Sequence, residues 1–173
     1  SEEFGERLFA SGSVELILGD GANLRYVSLQ NWSRTVAQIN RIRAKLARSS
    51  RLESLTVSLG ADAARAEVEC VMDGPGSESE MLGLYFADKK QHYNQYTLQH
   101  HHADHAHSDL LFKGALRDGS TAVYSGMIQV DEGAQKTDAY QTNRNLLLDA
   151  DSEAVSIPQL EIGANDVRCS HGS

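Results

Sequence analysis

Histidine is concentrated in one short stretch of the sequence. Five of the seven histidines lie between residues 100 and 107. In an extended strand His100 and His102 share one face, as do His105 and His107. Neutral imidazole is the commonest protein ligand for zinc, copper, iron and nickel. These four residues are therefore a candidate metal site, and the alternative is a solvated cluster around a turn that takes up metal ions opportunistically.

A second candidate lies near the end of the sequence, where one residue separates Cys169 from His171. This spacing places the thiol and the imidazole on the same face of an extended strand. Together they select softer metals such as zinc or iron over magnesium or calcium. The alternative is an inward row of Val167 and Cys169 that ends in His171 by chance. Cys70, in an apolar run, is interpreted as a small core residue.

Motifs for several other chemistries are missing from the sequence. It contains no Gly-x-Ser-x-Gly, no Gly-x-x-x-x-Gly-Lys-Ser/Thr, no Gly-x-Gly-x-x-Gly and no Cys-x-x-Cys. Acyl transfer, nucleotide hydrolysis, dinucleotide binding and thiol redox chemistry therefore have no support. A metal-dependent enzyme that acts on polysaccharide through the His100–His107 cluster stays open as an alternative function.

Short β-strands are the elements expected to position these residues. Runs rich in Val, Ile, Leu, Tyr or Phe alternate with polar residues, and turn-forming clusters separate them. From Gly74 onward the turns recur about every 13 to 18 residues, so two strands per circuit would make a β-helix coil of about 25 to 30 residues. A sandwich and a closed barrel are the alternatives. The side chains expected to point mainly inward are Leu110, Phe112, Val123, Ile128, Leu146, Leu148, Leu160 and Ile162.

One segment departs from the strand pattern. Apolar residues at helical spacing after Ser33, a possible N-cap, predict one short helix near residues 33–48. The helical face would comprise Val36, Ile39, Ile42 and Leu46. The rest of the segment is basic, and we interpret it as a solvated flank that pairs with the acidic remainder rather than a docking patch for an anionic surface. The basic residues are Arg34, Arg41, Arg43, Lys45, Arg48 and Arg51.

Composition limits the classes of protein and partner. The chain has 173 residues, 40% hydrophobic and 23% charged, which predicts a single domain over residues 1–173. The net charge of -8 disfavours nucleic acid as a partner. No apolar run approaches the roughly 18 to 20 residues that span a bilayer, so we expect no membrane partner. Two distant cysteines and no export leader indicate a cytoplasmic protein. The initial Ser1 and the ending at Ser173 suggest a fragment.

Four segments of the last part of the chain carry a distinctive order and spacing, namely residues 108–116, 135–148, 157–162 and 165–172. They resemble the SufB/SufD family of iron–sulfur cluster assembly proteins, and the resemblance extends from residue 14 to the end. The closing Cys-Ser-His-Gly resembles the SufD branch. The resemblance implies an all-β fold, a right-handed parallel β-helix, without the helical regions that flank this core in the family.

The resemblance also implies a function. The chain would be a non-catalytic scaffold subunit that pairs with a SufB-like paralogue through the C-terminal end of the β-helix. A SufC-like ATPase would bind through a region absent here. Alone, the chain is expected to form a homodimer through residues 159–171. Its cargo would be iron or a nascent iron–sulfur cluster, held transiently and shared with the partner.

The same resemblance implies roles for two residues. His171 matches a histidine at the family's partner interface, and Cys169 lies beside it, so the two would form half of a metal site. One candidate thiol cannot complete a four-ligand cluster site, so the partner must supply the rest. The additional histidines around His105 depart from the family pattern and inherit no role.

Overall fold

The computed structural model describes residues 7–172, which form β-strands joined by turns. No helix occurs among these residues, and hence none that is long and apolar enough to cross a membrane. The strands are β1 (Leu8–Leu18), β2 (Asn23–Gln30), β3 (Val36–Leu46), β4 (Arg51–Ser58), β5 (Ala63–Met72), β6 (Glu78–Ala87), β7 (His92–His101), β8 (His107–Leu116), β9 (Thr121–Val130), β10 (Asp138–Leu147), β11 (Glu153–Ile162) and β12 (Arg168–Gly172).

The strands alternate between two six-stranded parallel sheets. One sheet has the order β1-β3-β5-β7-β9-β11, and the other has the order β12-β10-β8-β6-β4-β2. Each strand pairs with the strand two further along the chain: Ala63 is aligned with His92, and His92 with Thr121. The chain therefore coils through both sheets in turn, about 30 residues for each circuit, which confirms the predicted parallel β-helix.

Side-chain alternation explains why these segments form strands. Successive side chains of a strand point to opposite faces. In β9 this buries Ala122, Tyr124, Gly126, Ile128 and Val130 between the sheets, and the odd-numbered residues that alternate with them are more exposed. Burial of apolar side chains between the two sheets supplies the main favourable term for folding.

The predicted helix near residues 33–48 is wrong, because Val36–Leu46 form strand β3. Ile42, Ala44 and Leu46 are buried, whereas the basic residues between them are exposed. Val36, Ile42 and Leu46 fit a period of two as well as a helical period, whereas Ile39 faces outward in the strand. Hydrogen bonding to β1 on one side and to β5 on the other stabilises the strand over the helix.

The basic residues of this segment pair with acidic residues of the next coil. Register places Arg41 opposite Glu67 and Arg43 opposite Glu69. The Arg41 Nε to Glu67 Oε2 distance is 2.7 Å, and hydrogen bonds from Arg65 and Arg41 lower the pKa of Glu67. The interpretation as a flank paired with acids is confirmed. Exposed pairs of this kind contribute little to stability because solvent screens them.

The predicted inward positions are correct in part. Leu110, Phe112 and Ile128 are fully buried. Leu160 and Ile162 are aligned with the inward-facing Ile128 and Val130. They are nevertheless 37% and 43% exposed, because no strand within residues 7–172 covers the other side of β11.

For three residues the inward prediction is wrong. Val123 lies between the buried Ala122 and Tyr124 and therefore faces outward. Leu146 and Leu148 are 59% and 52% exposed. The inner face of this part of the chain carries Asn143 and other polar residues instead, so hydrophobicity alone assigned the wrong face.

Large and small side chains alternate between successive coils in the interior. Gly83 is aligned with Phe112, and Gly114 with Tyr85. A Cβ atom at Gly83 would overlap the ring of Phe112, and one at Gly114 would overlap the ring of Tyr85. At these two positions each aromatic ring fills the space beside a glycine of the neighbouring coil.

We expect Gly83→Ala to lower the free energy of unfolding by about 1 to 3 kcal/mol, because the added methyl group must displace the Phe112 ring. Gly133→Ala is the matched control, since a Cβ there has nothing within 4 Å. Its effect should stay within about 0.5 kcal/mol. Urea denaturation of the two variants checks this prediction, and equal destabilisation would contradict it.

The interior also contains polar residues, including a histidine. His101 is fully buried, and its Nε2 lies 2.8 Å from Ser108 Oγ, whereas Nδ1 has no hydrogen-bond partner. Burial, together with the nearby His100 and His107, lowers the pKa of His101 to about 3. The folded protein therefore keeps this imidazole neutral.

This burial predicts a loss of stability in mild acid. The unfolded chain protonates His101 below its ordinary pKa of 6.5, and the folded chain does so only near 3. Stability is thus fully present above pH 6.5 and falls by about 1 kcal/mol for each pH unit towards pH 3. Thermal unfolding between pH 7 and 5 should show a shallower pH dependence for His101→Gln than for the parent. The exposed-residue control His105→Gln should keep the parental slope.

Candidate metal-binding sites

Strand β12 positions the two C-terminal candidates. It pairs with β10 so that Cys169 is aligned with Ala139 and His171 with Gln141. Ala139 and Gln141 are buried between the sheets. Cys169 and His171 therefore occupy inward positions of the last described coil, where Cys169 is half-buried and His171 is exposed. The shared face that their spacing predicts agrees with this register.

The surroundings of Cys169 keep its thiol protonated. The residue packs against a small apolar cluster that includes Ala139 and Ala164. Burial, and then the negative charge of Asp138, raise the pKa of Cys169 above its ordinary value. A metal ion or a cationic partner group would reverse this preference, because the thiolate is the form that ligates.

Cys70 has a structural role, as predicted. It is 1% exposed, and its Sγ lies 3.5 Å from Met72 Sδ. Burial raises the pKa of the thiol to about 12. A thiol in this environment neither ionises at neutral pH nor reaches a ligand on the surface.

The four histidines of the other candidate site do not converge on one point. His100 and His102 lie together, with ring centroids 4.6 Å apart. His105 is exposed, and its Nδ1 lies 3.1 Å from Asp104 Oδ2. His107 begins β8, which belongs to the other sheet. The turn between β7 and β8 thus separates His105 and His107 from His100 and His102.

Sequence reasoning missed the acidic residues that join His100 and His102. The carboxylate of Asp131 contacts both rings: Oδ1 lies 3.0 Å from His100 Nε2, and Oδ2 lies 2.9 Å from His102 Nε2. Asp73 lies on the other side of His102. The signal was available in the even spacing of the turns, which brings equivalent residues of successive coils to the same corner.

Comparison with known proteins gives the family. A family model described as SUF system FeS cluster assembly, SufBD core domain, matches residues 1–173. The chain belongs to the SufBD family. An iron-sulfur cluster assembly SufBD family protein of Mycobacterium leprae is 34% identical over 166 residues, which cover 90% of this chain and 41% of the relative.

Other relatives agree with this assignment. The corresponding protein of Mycobacterium tuberculosis is 32% identical over 166 residues, again 90% of this chain and 41% of the relative. A longer SufBD family protein of M. leprae is 28% identical over 161 residues, 93% of this chain and 18% of the relative. The chain thus spans less than half the length of these SufBD proteins.

Membership of the SufBD family confirms the resemblance found in the sequence. It favours iron–sulfur cluster assembly over the polysaccharide enzyme, whose proposed histidine cluster the structure divides. Within the SufBD core, Cys169 and His171 provide a thiol and an imidazole on one side of β12. This pair suits iron or zinc rather than magnesium.

The two cysteines should differ in reactivity. Iodoacetamide should modify Cys169 in the folded protein and leave Cys70 unmodified, because Cys70 is buried and its pKa is about 12. The rate at Cys169 should rise with pH as the thiolate forms. Peptide mass spectrometry measures both sites, and denaturant should make Cys70 reactive. Modification of Cys70 in the folded chain would contradict the prediction.

Proposed function

We propose that this chain is the β-helix core of a SufD-like scaffold subunit, which holds iron or a nascent iron–sulfur cluster together with a SufB-like partner. The observation that carries the proposal is the placement of Cys169 and His171 on inward positions of β12. This strand pairs on one side only within residues 7–172. Membership of the SufBD family supports the same function.

The chemistry of the site requires a partner. Iron–sulfur clusters are held by thiolates, with imidazole as a substitute ligand. Cys169 and His171 supply one ligand of each kind, and the other thiol, Cys70, is buried away from them. The remaining ligands therefore come from another subunit. The chain binds and positions the cargo and performs no catalytic step of its own.

The last strands are suited to pairing with a second β-helix. β11 and β12 each have one edge without a partner strand among the described residues, and such edges accept additional strands. Leu160 and Ile162 are exposed at the same end. A SufB-like paralogue would cover this surface in the cytoplasm, and a second copy would cover it as a homodimer when the chain is alone. A SufC-like ATPase would bind a region outside this sequence.

Substitution of His171 tests the site. In the full-length protein reconstituted with its partners, His171→Ala should abolish cluster assembly, because the imidazole ligand is lost. Cys169→Ser should reduce assembly less, since the partner contributes thiolates. Iron–sulfur absorbance and iron and sulfide content measure the outcome. Both variants should melt within a few degrees of the parent, because the two residues pack little core.

The matched control is His105→Ala, which removes an exposed imidazole outside the site. It should assemble clusters at the parental rate. Normal assembly by folded His171→Ala would overturn the site assignment, as would an equal loss in His105→Ala. Co-purification of the partner with His171→Ala would show that the complex still forms, so that a loss of cluster assembly is due to the missing imidazole ligand.

A further inference from the structure

Three successive coils bring titratable side chains to one outer corner of the β-helix. Met72, His101 and Val130 are aligned in neighbouring strands. The residues that follow them are Asp73, His102 and Asp131, which stack at the corner. This stacking is reinforced by backbone hydrogen bonds from His102 N to Met72 O and from Asp131 N to His101 O, at 3.1 and 3.0 Å.

His100 joins the stack from the outward face of β7. Its Nε2 lies 3.0 Å from Asp131 Oδ1, and His102 Nε2 lies 2.9 Å from Asp131 Oδ2. One ligand atom from each of the three residues lies within 4.8 Å of the other two. Metal–nitrogen bonds of about 2.0 to 2.1 Å place neighbouring ligand atoms about 3 to 3.5 Å apart. Small shifts of the three side chains therefore suffice for all of them to coordinate one ion.

A second carboxylate orients one of the imidazoles. His102 Nδ1 lies 3.1 Å from Asp73 Oδ1, and the other oxygen of Asp73 lies 3.0 Å from Lys45 Nζ. A metal-ligating histidine usually donates its other N–H to such a carboxylate, which fixes the tautomer. With a metal ion in place of the proton between His102 Nε2 and Asp131, the Nδ1–H of His102 would donate to Asp73 and the Nε2 lone pair would ligate the ion. Asp73, held by Lys45, is a positioning residue.

We propose that His100, His102 and Asp131 bind one borderline-soft divalent metal ion of the Zn²⁺ or Fe²⁺ type. Two imidazoles and one carboxylate are a donor set that such ions prefer, whereas Mg²⁺ prefers oxygen ligands and keeps its water. The side chains are 19%, 48% and 33% exposed, so an ion can reach them and keep solvent ligands. This site is independent of Cys169 and His171, which lie on the other sheet.

Zinc titration of the folded protein tests the proposal. All proteins carry Cys169→Ser and His171→Ala, so that the C-terminal candidate site binds no zinc in this experiment. The result therefore tests the corner site independently of the proposed function. Isothermal titration with ZnCl₂ should give one ion per chain, and MgCl₂ should give none. Asp131→Asn and His102→Ala should each weaken zinc binding by roughly 100-fold or more. Asp73→Asn should weaken it by about 10- to 100-fold with unchanged stoichiometry, as expected for a positioning residue.

The control is His105→Ala, an exposed histidine of the same segment whose partner is Asp104. It should bind zinc like the parent. Zinc should raise the Tm of the parent and of His105→Ala but not of Asp131→Asn, since a ligand stabilises only the state that binds it. Co²⁺ absorption in the visible range should show the same dependence. Parental zinc affinity in Asp131→Asn, equal loss in His105→Ala, or no zinc binding at all would show that the residues form only an ion-pair cluster.

Discussion

Parallel hydrogen bonding between successive coils is the constraint on which every other feature depends. It aligns each residue with its equivalent about 30 positions away, so that the interior is built from columns of stacked side chains. One such column runs through Leu24, Leu52, Ser79, Ser108, Ala139 and Cys169. This alignment places Cys169 on the inward side of β12.

The narrow interior determines where chemistry is possible. Phe112 and Tyr85 occupy the space that Gly83 and Gly114 leave free, so their rings fill the interior at these positions. Burial in the interior suppresses ionisation of the Cys70 thiol, because it raises the pKa of that thiol to about 12. The two candidate sites lie where side chains reach solvent, one at a corner between coils and the other on the last described coil.

The two candidate sites use these exposed places differently. At the corner, residues of consecutive coils meet, and Asp131 contacts both His100 and His102 within one chain. On β12, two alternate positions of one strand supply a thiol and an imidazole, and no further coil among the described residues covers them. In our proposals the first arrangement binds an ion within one chain, whereas the second binds its cargo together with a partner subunit.

The alternating side chains and evenly spaced turns of the sequence limited the fold to a β-helix, a sandwich or a barrel, and the resemblance of its last part to the SufB/SufD family selected the β-helix. The sequence also placed Cys169 and His171 on one face and Cys70 in the core. Tertiary structure decided the rest, because the apolar residues of 36–46 fit both a helix and a strand until β1 and β5 pair with them. It alone joined Asp131 to His100 and His102: a one-residue shift of register would send these side chains to different faces, and register is set by the packing of whole coils.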